Sequence, residues 1–274
     1  MSIFKPVTVI TGASSGIGAA LARVFAANGH EVALVARRER EMVLLSTELG
    51  AAYNYKPHVI PIDLQRSDAP ARIAHELLGR GLEPQYVVNN AGFGLYGPAA
   101  ELDRAVQLAM IDLNVRALTD LSLRWIDGIV RHKGGILNVA SVAGFMPGPN
   151  QAVYYATKAY VLSFTEALSR ELAPRGVRVT ALCPGPVPTE FQERAGVSGK
   201  GNSWLLGKSA EKVAKAGYDG FMAGRRLVVP GFGNKLATIL PRLLPRSLML
   251  STLERYQRGR SRTGENWPRR TPKA

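Results

Sequence analysis

Tyr154 and Lys158 stand four residues apart in a segment, 153–172, whose apolar spacing predicts a helix. Both side chains therefore fall on one helical face, about a turn apart. A free phenol titrates near pH ~10 and is a poor base at neutral pH. An ammonium beside it favours the phenolate and lowers that value. Such a pair can pass a proton to or from an oxygen whose charge is changing. The plain alternative for Tyr154 is a buried aromatic.

A second group with chemical potential is the turn Thr11-Gly12-Ala13-Ser14-Ser15-Gly16-Ile17-Gly18, between a strand-like run at 7–11 and a helical run at 16–28. Gly12 lets the chain turn sharply off a sheet, Gly16 lets backbone approach a pyrophosphate, and Gly18 lets helix and strand pack closely. The unpaired N–H groups and positive dipole end of the helix favour a phosphate there. A glycine triplet alone also fits a structural turn. The strand before it and the helix after it supply the context that a dinucleotide site requires.

These groups need a frame, and the first 182 residues supply one. Strands are expected at 7–11, 31–36, 58–62, 86–89, 135–140 and 177–182. Helices are expected at 16–28, at 39–49, from an N-cap at Ser67 to about 78, at 103–130 and at 153–172, with Gly29 and Gly50 as stop signals. Short apolar runs alternating with helices call for an α/β fold, a doubly wound, Rossmann-like parallel sheet of about seven strands. After Cys183, the residues Pro184, Gly185, Pro186 and Pro188 forbid a helix and begin a loop to about 207. A helix at 209–222 and a seventh strand at 227–229 follow. The expected organisation is one catalytic domain over 1–233, with a lid at about 186–207, and a basic helical extension over 234–274.

The G-x-x-x-G-x-G spacing headed by Thr11 resembles the short-chain dehydrogenase/reductase family, and the resemblance extends over roughly residues 5–190. Asn89-Asn90-Ala91-Gly92 matches the family's Asn-Asn-Ala-Gly segment. Asn114, Ser141, Tyr154 and Lys158 match its catalytic set. The resemblance implies that Tyr154 exchanges the proton and that Ser141 hydrogen-bonds the reacting oxygen. It also implies that Lys158 holds the ribose hydroxyls and that Asn114 positions a water linking Lys158 to solvent. It places Gly12, Ser14, Ser15, Gly16, Ile17 and Gly18 at the pyrophosphate and Asp63 with Leu64 at the adenine. Asn90, Ala91 and Gly92 line the cofactor, and Pro184, Gly185, Val187 and Thr189 lie at the nicotinamide end. Tyr155 falls outside the Tyr-x-x-x-Lys register and is assigned to packing. Ser141 also fits a strand-end turn residue, and Asn114 a mid-helix asparagine facing solvent.

Members of this family that prefer NAD hold the ribose with an acidic residue at the end of the second strand. Here that strand ends Val35-Ala36-Arg37-Arg38. Ala36 cannot accept those bonds, whereas Arg37 can fork onto a 2′-phosphate and Arg38 can add charge, so NADP(H) is expected. Two solvated arginines are the alternative. The family's other NADP signal, a basic residue before the middle glycine, is absent, because Ser15 stands there.

Composition narrows the rest. The apolar fraction of 46% and charged fraction of 20% are those of a globular protein. A single cysteine, Cys183, excludes an intrachain disulfide and any multi-cysteine metal site, and His30, His58, His75 and His132 are scattered, so no metal is expected. The residues before the first strand are too few for a signal peptide, and no run reaches the roughly 18 apolar residues of a membrane span, so a cytoplasmic protein is expected. Residues 194–274 carry 17 Lys+Arg against 4 Asp+Glu, almost the whole net charge of +14. Within them, 236–256 alternates leucines with Arg242, Arg246 and Arg255 around Pro241 and Pro245. Two short amphipathic helices there would suit an anionic membrane surface, or would pack on the domain or a second subunit. Beyond about 259 a solvated tail is expected. From 236 onward the tail lacks aromatics other than Tyr256 and Trp267, which disfavours nucleic acid.

Phe93, Leu95, Tyr96, Phe145 and Met146 follow strands at the ends where ligands bind, and Phe191, Val197, Trp204, Leu205 and Leu206 would line the lid. They point to a hydrophobic, lipid-, steroid- or aromatic-like carbonyl or secondary alcohol, or to ordinary packing. The resemblance implies a homodimer or homotetramer. A nucleotide-sensing or scaffold protein without turnover is the competing reading, and the complete Asn-Ser-Tyr-Lys set argues against it.

Overall fold

The computed structural model describes residues 4–191, 195, 208–243 and 245–261. Among them, seven strands form one sheet: β1 (Lys5–Thr11), β2 (Val32–Ala36), β3 (His58–Pro61), β4 (Leu82–Asn89), β5 (Gly135–Val139), β6 (Arg178–Leu182) and β7 (Leu227–Val228). Their order is β3-β2-β1-β4-β5-β6-β7 and every pairing is parallel. The strand runs are apolar on both faces because helices cover both, and all residues of β2 and β5 are buried.

On one face lie α1 (Gly16–Ala27), α2 (Glu39–Tyr53) and α8 (Ala210–Met222), which pack Leu21, Phe25, Met42 and Phe221 against Leu34 and Val88. On the other lie α3 (Ala69–Gly79), α5 (Leu118–Arg124), α6 (Ile126–Arg131) and α7 (Ala152–Leu172), which pack Ile73, Leu121, Ile129 and Leu168 against Val9, Val87 and Ile136. Strand order reverses between β1 and β4, so the connections leaving their carboxyl ends part to opposite faces and open a crevice. The glycine turn follows β1 there, and Asn90-Ala91-Gly92 follows β4.

A buried polar chain locks the helix that carries Tyr154 and Lys158 to this sheet. Asn89 Nδ2 donates to Ser122 Oγ at 3.0 Å and to Asn138 Oδ1 at 2.9 Å, and Asn138 Nδ2 donates to Thr165 Oγ1 at 3.0 Å. The chain joins β4, α5, β5 and α7. Losing one partner would strand another buried polar group, at a cost of about 1–3 kcal/mol.

Several boundaries differ from the sequence expectation. The single helix expected at 103–130 is three helices. Asp103 starts it by accepting from Ala105 N and Val106 N, but α4 (Arg104–Ile111) passes into a π-helical turn, Asp112–Ala117, before α5. Trp125, at φ −114° and ψ 18°, then breaks the path into α6. α2 runs through Gly50, because glycine weakens a helix without ending it, and stops where Asn54 takes a left-handed cap at φ 56°. α3 is capped at Asp68, not Ser67, with Pro70 in the first turn, where a missing N–H costs nothing. β4 starts at Leu82, four residues early, because Lys5 to Val7 of β1 pair with it. Cores decide such ends, and local residue types do not report on cores.

The C-terminal helices are longer than expected: α9 (Phe232–Leu243) and α10 (Arg246–Ser261). Pro241 falls inside α9 and Pro245 just before α10. Most of the solvated tail expected beyond about 259, and Val197, Trp204, Leu205 and Leu206 of the expected lid, lie outside the described residues. No helix among the described residues is long and apolar enough to cross a membrane.

Candidate active site and nucleotide cleft

The glycine turn leaves β1 with Gly12 N donating to Val35 O at 2.8 Å. Gly12 and Gly16 occupy the left-handed region, at φ 66° and 55°. A Cβ on Gly18 would come within 2.2 Å of Gly12 O and 2.5 Å of Asn90 Nδ2, so the start of α1 presses directly on the turn. Ser15, the residue before α1, makes no side-chain cap, and the first-turn N–H groups are left to a ligand or water. Thr189 lies over Gly16, its Cγ2 3.2 Å from where a Cβ would stand. Val187 is buried in the core, Ile17 packs partly against that core, and Leu64 is buried on the opposite face of the sheet.

Thr11 is a residue whose role sequence reasoning missed. Its Oγ1 accepts from Asn90 N at 2.9 Å and Ala91 N at 3.0 Å, and Asn90 Nδ2 donates to Thr11 O at 2.9 Å. These bonds fasten the segment after β4 to the glycine turn. The signal was present, since a threonine at a strand end can turn its hydroxyl to neighbouring backbone, but only the β1–β4 adjacency says which backbone.

At the end of β2 the two arginines part company. Arg37 is 60% exposed and leans toward Asp63, Nη1 to Oδ2 at 3.9 Å. Arg38 is 28% exposed; its Nε donates to Ser14 Oγ at 3.3 Å, and its Nη1 lies 3.0 Å from Glu190 Oε2 and 3.8 Å from Glu41 Oε1. Among the described residues its Nη2 is buried without a hydrogen-bond partner. A donor held in that state beside a glycine turn fits an anionic group. Of the two arginines, Arg38 is the one that touches the glycine turn. Glu190, which the sequence did not single out, ties the segment after β6 to the same corner.

The chemical end of the cleft is built on α7. Lys158 is buried, and its Nζ donates to Val139 O at 2.8 Å and lies 5.9 Å from the centroid of the Tyr154 ring. Burial pushes its pKa down to about 8. Burial also pushes the Tyr154 phenol well above its ordinary value, with a hydrogen bond from Ser141 pulling the other way. The Lys158 ammonium, 5.9 Å from the ring centroid, does not reverse that direction in the protein alone. Ser141 Oγ accepts from Ala143 N at 3.1 Å and lies 3.5 Å from Pro184 O, so it also caps the short 3₁₀ turn Val142–Phe145. The Tyr155 ring lies against Gly148, and Tyr155 stands three residues from Lys158.

Asn114, expected at a water relay or facing solvent, is buried and its amide is taken up by protein. Oδ1 accepts from Phe93 N at 3.1 Å, and Nδ2 donates to Phe93 O at 2.9 Å and Thr157 Oγ1 at 3.1 Å. The π-helical turn carries it inward, where it braces the chain after Gly92 against α7. Phe191 closes on Tyr154, ring centroids 5.6 Å apart. Gly185 has a second reason to be glycine: a Cβ there would lie 2.3 Å from Asn234 Oδ1, so α9 sits directly on this segment. Cys183 is fully buried beneath the site and its thiol is pushed up to about 12. Among the described residues no cluster of potential metal ligands occurs.

The short chain dehydrogenase family profile matches residues 6–197, and the chain belongs to the short-chain dehydrogenase/reductase family. It is 37% identical over 188 residues to sulfoacetaldehyde reductase 2 of Chromohalobacter salexigens, covering 68% of this chain and 74% of that protein. A short-chain dehydrogenase from Sphingobium yanoikuyae in complex with NADPH matches with a TM-score of 0.77 and 28% identity over 98% of this chain and 99% of that one. The bulky-bulky ketone specific alcohol dehydrogenase from Comamonas testosteroni matches with a TM-score of 0.72 and 26% identity, over 98% and 97%. The class is thus a nucleotide-binding oxidoreductase with a nicotinamide cofactor.

Replacing the buried ammonium should stabilise the protein. In the unfolded chain Lys158 titrates at 10.5, and in the fold at about 8. The penalty for holding it charged is therefore full below about pH 8 and gone above 10.5. That shift corresponds to roughly 3 kcal/mol, against about 1 kcal/mol for the lost bond to Val139 O. Lys158→Met is expected to raise Tm near neutral pH, with the gain shrinking as pH climbs through that window. A lower Tm at neutral pH would show that the ammonium is not held at a cost.

Proposed function

We propose that this chain is an NADP(H)-dependent oxidoreductase that interconverts a carbonyl and a secondary alcohol on a hydrophobic substrate, with Tyr154 as general acid and base. The observation that carries the reading is the Tyr154 ring with the buried Lys158 ammonium 5.9 Å from its centroid, on the helix that packs against the turn capped by Ser141. A phenol kept protonated is in the right state to give its proton to a carbonyl oxygen. In reduction, Tyr154 donates that proton, Ser141 holds the same oxygen, and the Lys158 ammonium stabilises the phenolate left behind. In oxidation the proton runs the other way. The nicotinamide, when bound, supplies or accepts the hydride.

The cofactor would rest its pyrophosphate on Gly12, Ser14, Ser15, Gly16, Ile17 and Gly18, with the adenine near Asp63 and Leu64. Lys158 would hold ribose hydroxyls, with Asn90, Ala91 and Gly92 alongside and Pro184, Gly185, Val187 and Thr189 at the nicotinamide end. The buried, unpartnered Nη2 of Arg38 supports a 2′-phosphate, and Arg37 adds charge. Phe93, Leu95, Tyr96, Phe145, Met146 and Phe191 favour an apolar substrate, closer in kind to the bulky ketones of the Comamonas protein than to sulfoacetaldehyde. Asn114 positions Gly92 and Thr157 more directly than it reaches a water.

Exposed Val106, Leu108 and Ile111 on α4, Leu123 on α5 and Tyr160 on α7 offer a face for a homodimer or homotetramer. Sedimentation velocity reads that assembly, and a monomer would reject it. Tyr154→Phe should lower kcat by roughly 10²–10⁴ while leaving NADPH affinity unchanged, whereas Tyr155→Phe does little. Reduction should hold through neutral pH and oxidation should climb with pH. The reverse ranking of the two tyrosines overturns the assignment. Arg38→Ala should weaken NADPH binding about ten- to a hundredfold, more than Arg37→Ala, with NADH affinity nearly unchanged. A wild-type preference for NADH in kcat/KM would reject the phosphate reading.

A further inference from the structure

α9 is amphipathic the wrong way round for a helix facing water. Phe232, Leu236, Ile239 and Leu240 are 84%, 56%, 51% and 49% exposed. Their spacing puts all four on one face. The inward face is polar: Asn234 and Thr238 are buried, with Asn234 Nδ2 donating to Pro230 O at 2.7 Å and Thr238 Oγ1 to Lys235 O at 2.7 Å. The helix is held in this orientation by its fit onto Gly185, where Asn234 fills the space of a Cβ. A continuous outward stripe of bulky apolar side chains needs a cover.

Charge selects the cover. From Phe232 to the C-terminus the sequence holds ten Lys and Arg against two Glu. A second copy meeting this face would bring two strongly basic segments together. A nucleic acid would satisfy the charge and leave the stripe in water. A bilayer surface carrying anionic headgroups satisfies both, since its acyl boundary takes up the apolar face and its headgroups meet the exposed Lys235 beside it. Exposed Lys235 lies beside the stripe and exposed Arg255 on α10.

We propose that α9 docks the protein on an anionic membrane surface, with the stripe Phe232, Leu236, Ile239 and Leu240 immersed at the lipid boundary. α9 rests on Gly185 and on the turn capped by Ser141, so docking sets the mouth of the cleft beside the bilayer. Resting on the hydrophobic-substrate reading above, the docked protein draws a lipid-dissolved carbonyl or alcohol from the membrane.

The test uses the full chain with vesicles of phosphatidylcholine alone or mixed with phosphatidylglycerol. The protein should pellet with the mixed vesicles, bind the neutral ones at least about tenfold less, and be released by high salt. Leu236→Glu with Ile239→Glu, both at exposed positions, should cut partitioning by more than about tenfold with Tm unchanged. Wild-type protein that ignores anionic vesicles, or a double variant that still binds them, overturns the proposal. So does a double variant that only splits an oligomer in sedimentation, which would make the stripe a contact between copies. NADPH oxidation with a water-soluble ketone should be equal in the two proteins. Its absence from both, with vesicle binding intact, rejects the enzyme reading and leaves the docking surface standing.

Discussion

An ammonium carried into the interior is the constraint to which the rest of the site answers. Among the described residues Lys158 keeps one hydrogen bond, to Val139 O, and is surrounded by groups that cannot solvate it as water would. Its pKa drop to about 8 measures that discomfort. The fold tolerates it because α7 is tied to the sheet through Thr165, Asn138, Asn89 and Ser122, and because Asn114 braces the chain after Gly92 from the other side. The same low-dielectric setting raises the phenol of Tyr154.

The nucleotide corner follows the same logic of deferred partners. The first turn of α1 is left without a side-chain cap, and among the described residues Arg38 keeps one buried donor idle. Both are unfavourable for the protein alone and favourable once an anion arrives. Thr11 and Asn90 make the corner rigid by fastening two loops that are distant in sequence and adjacent in the sheet. The contact of Arg38 with Glu190 links this corner to the start of the segment that also brings Phe191 over Tyr154.

At the opposite margin, α9 turns small polar residues inward and large apolar ones outward. Asn234 fits where only glycine allows it, against Gly185, and this fit sets the rotation of the whole helix. The alternation of leucine and arginine in the sequence marks an amphipathic element but not its sense. Packing of these leucines on the domain, one of the expected arrangements, does not occur at Leu236 or Leu240.

The alternating strands and helices, the glycine turn, and the Tyr154–Lys158 register were all legible in the sequence. Each rests on local geometry: a strand or helix period, a left-handed turn, a spacing of four. Tertiary structure decided what depends on partners far along the chain. It broke the helix at 103–130 so that Asn114 could turn inward, chose Arg38 over Arg37 for the glycine corner, and gave Thr11 its pinning role. It also set the burial that pushes the Tyr154 phenol upward, because the cost of burying a charge is a property of the whole surrounding volume, which a spacing between two residues does not contain.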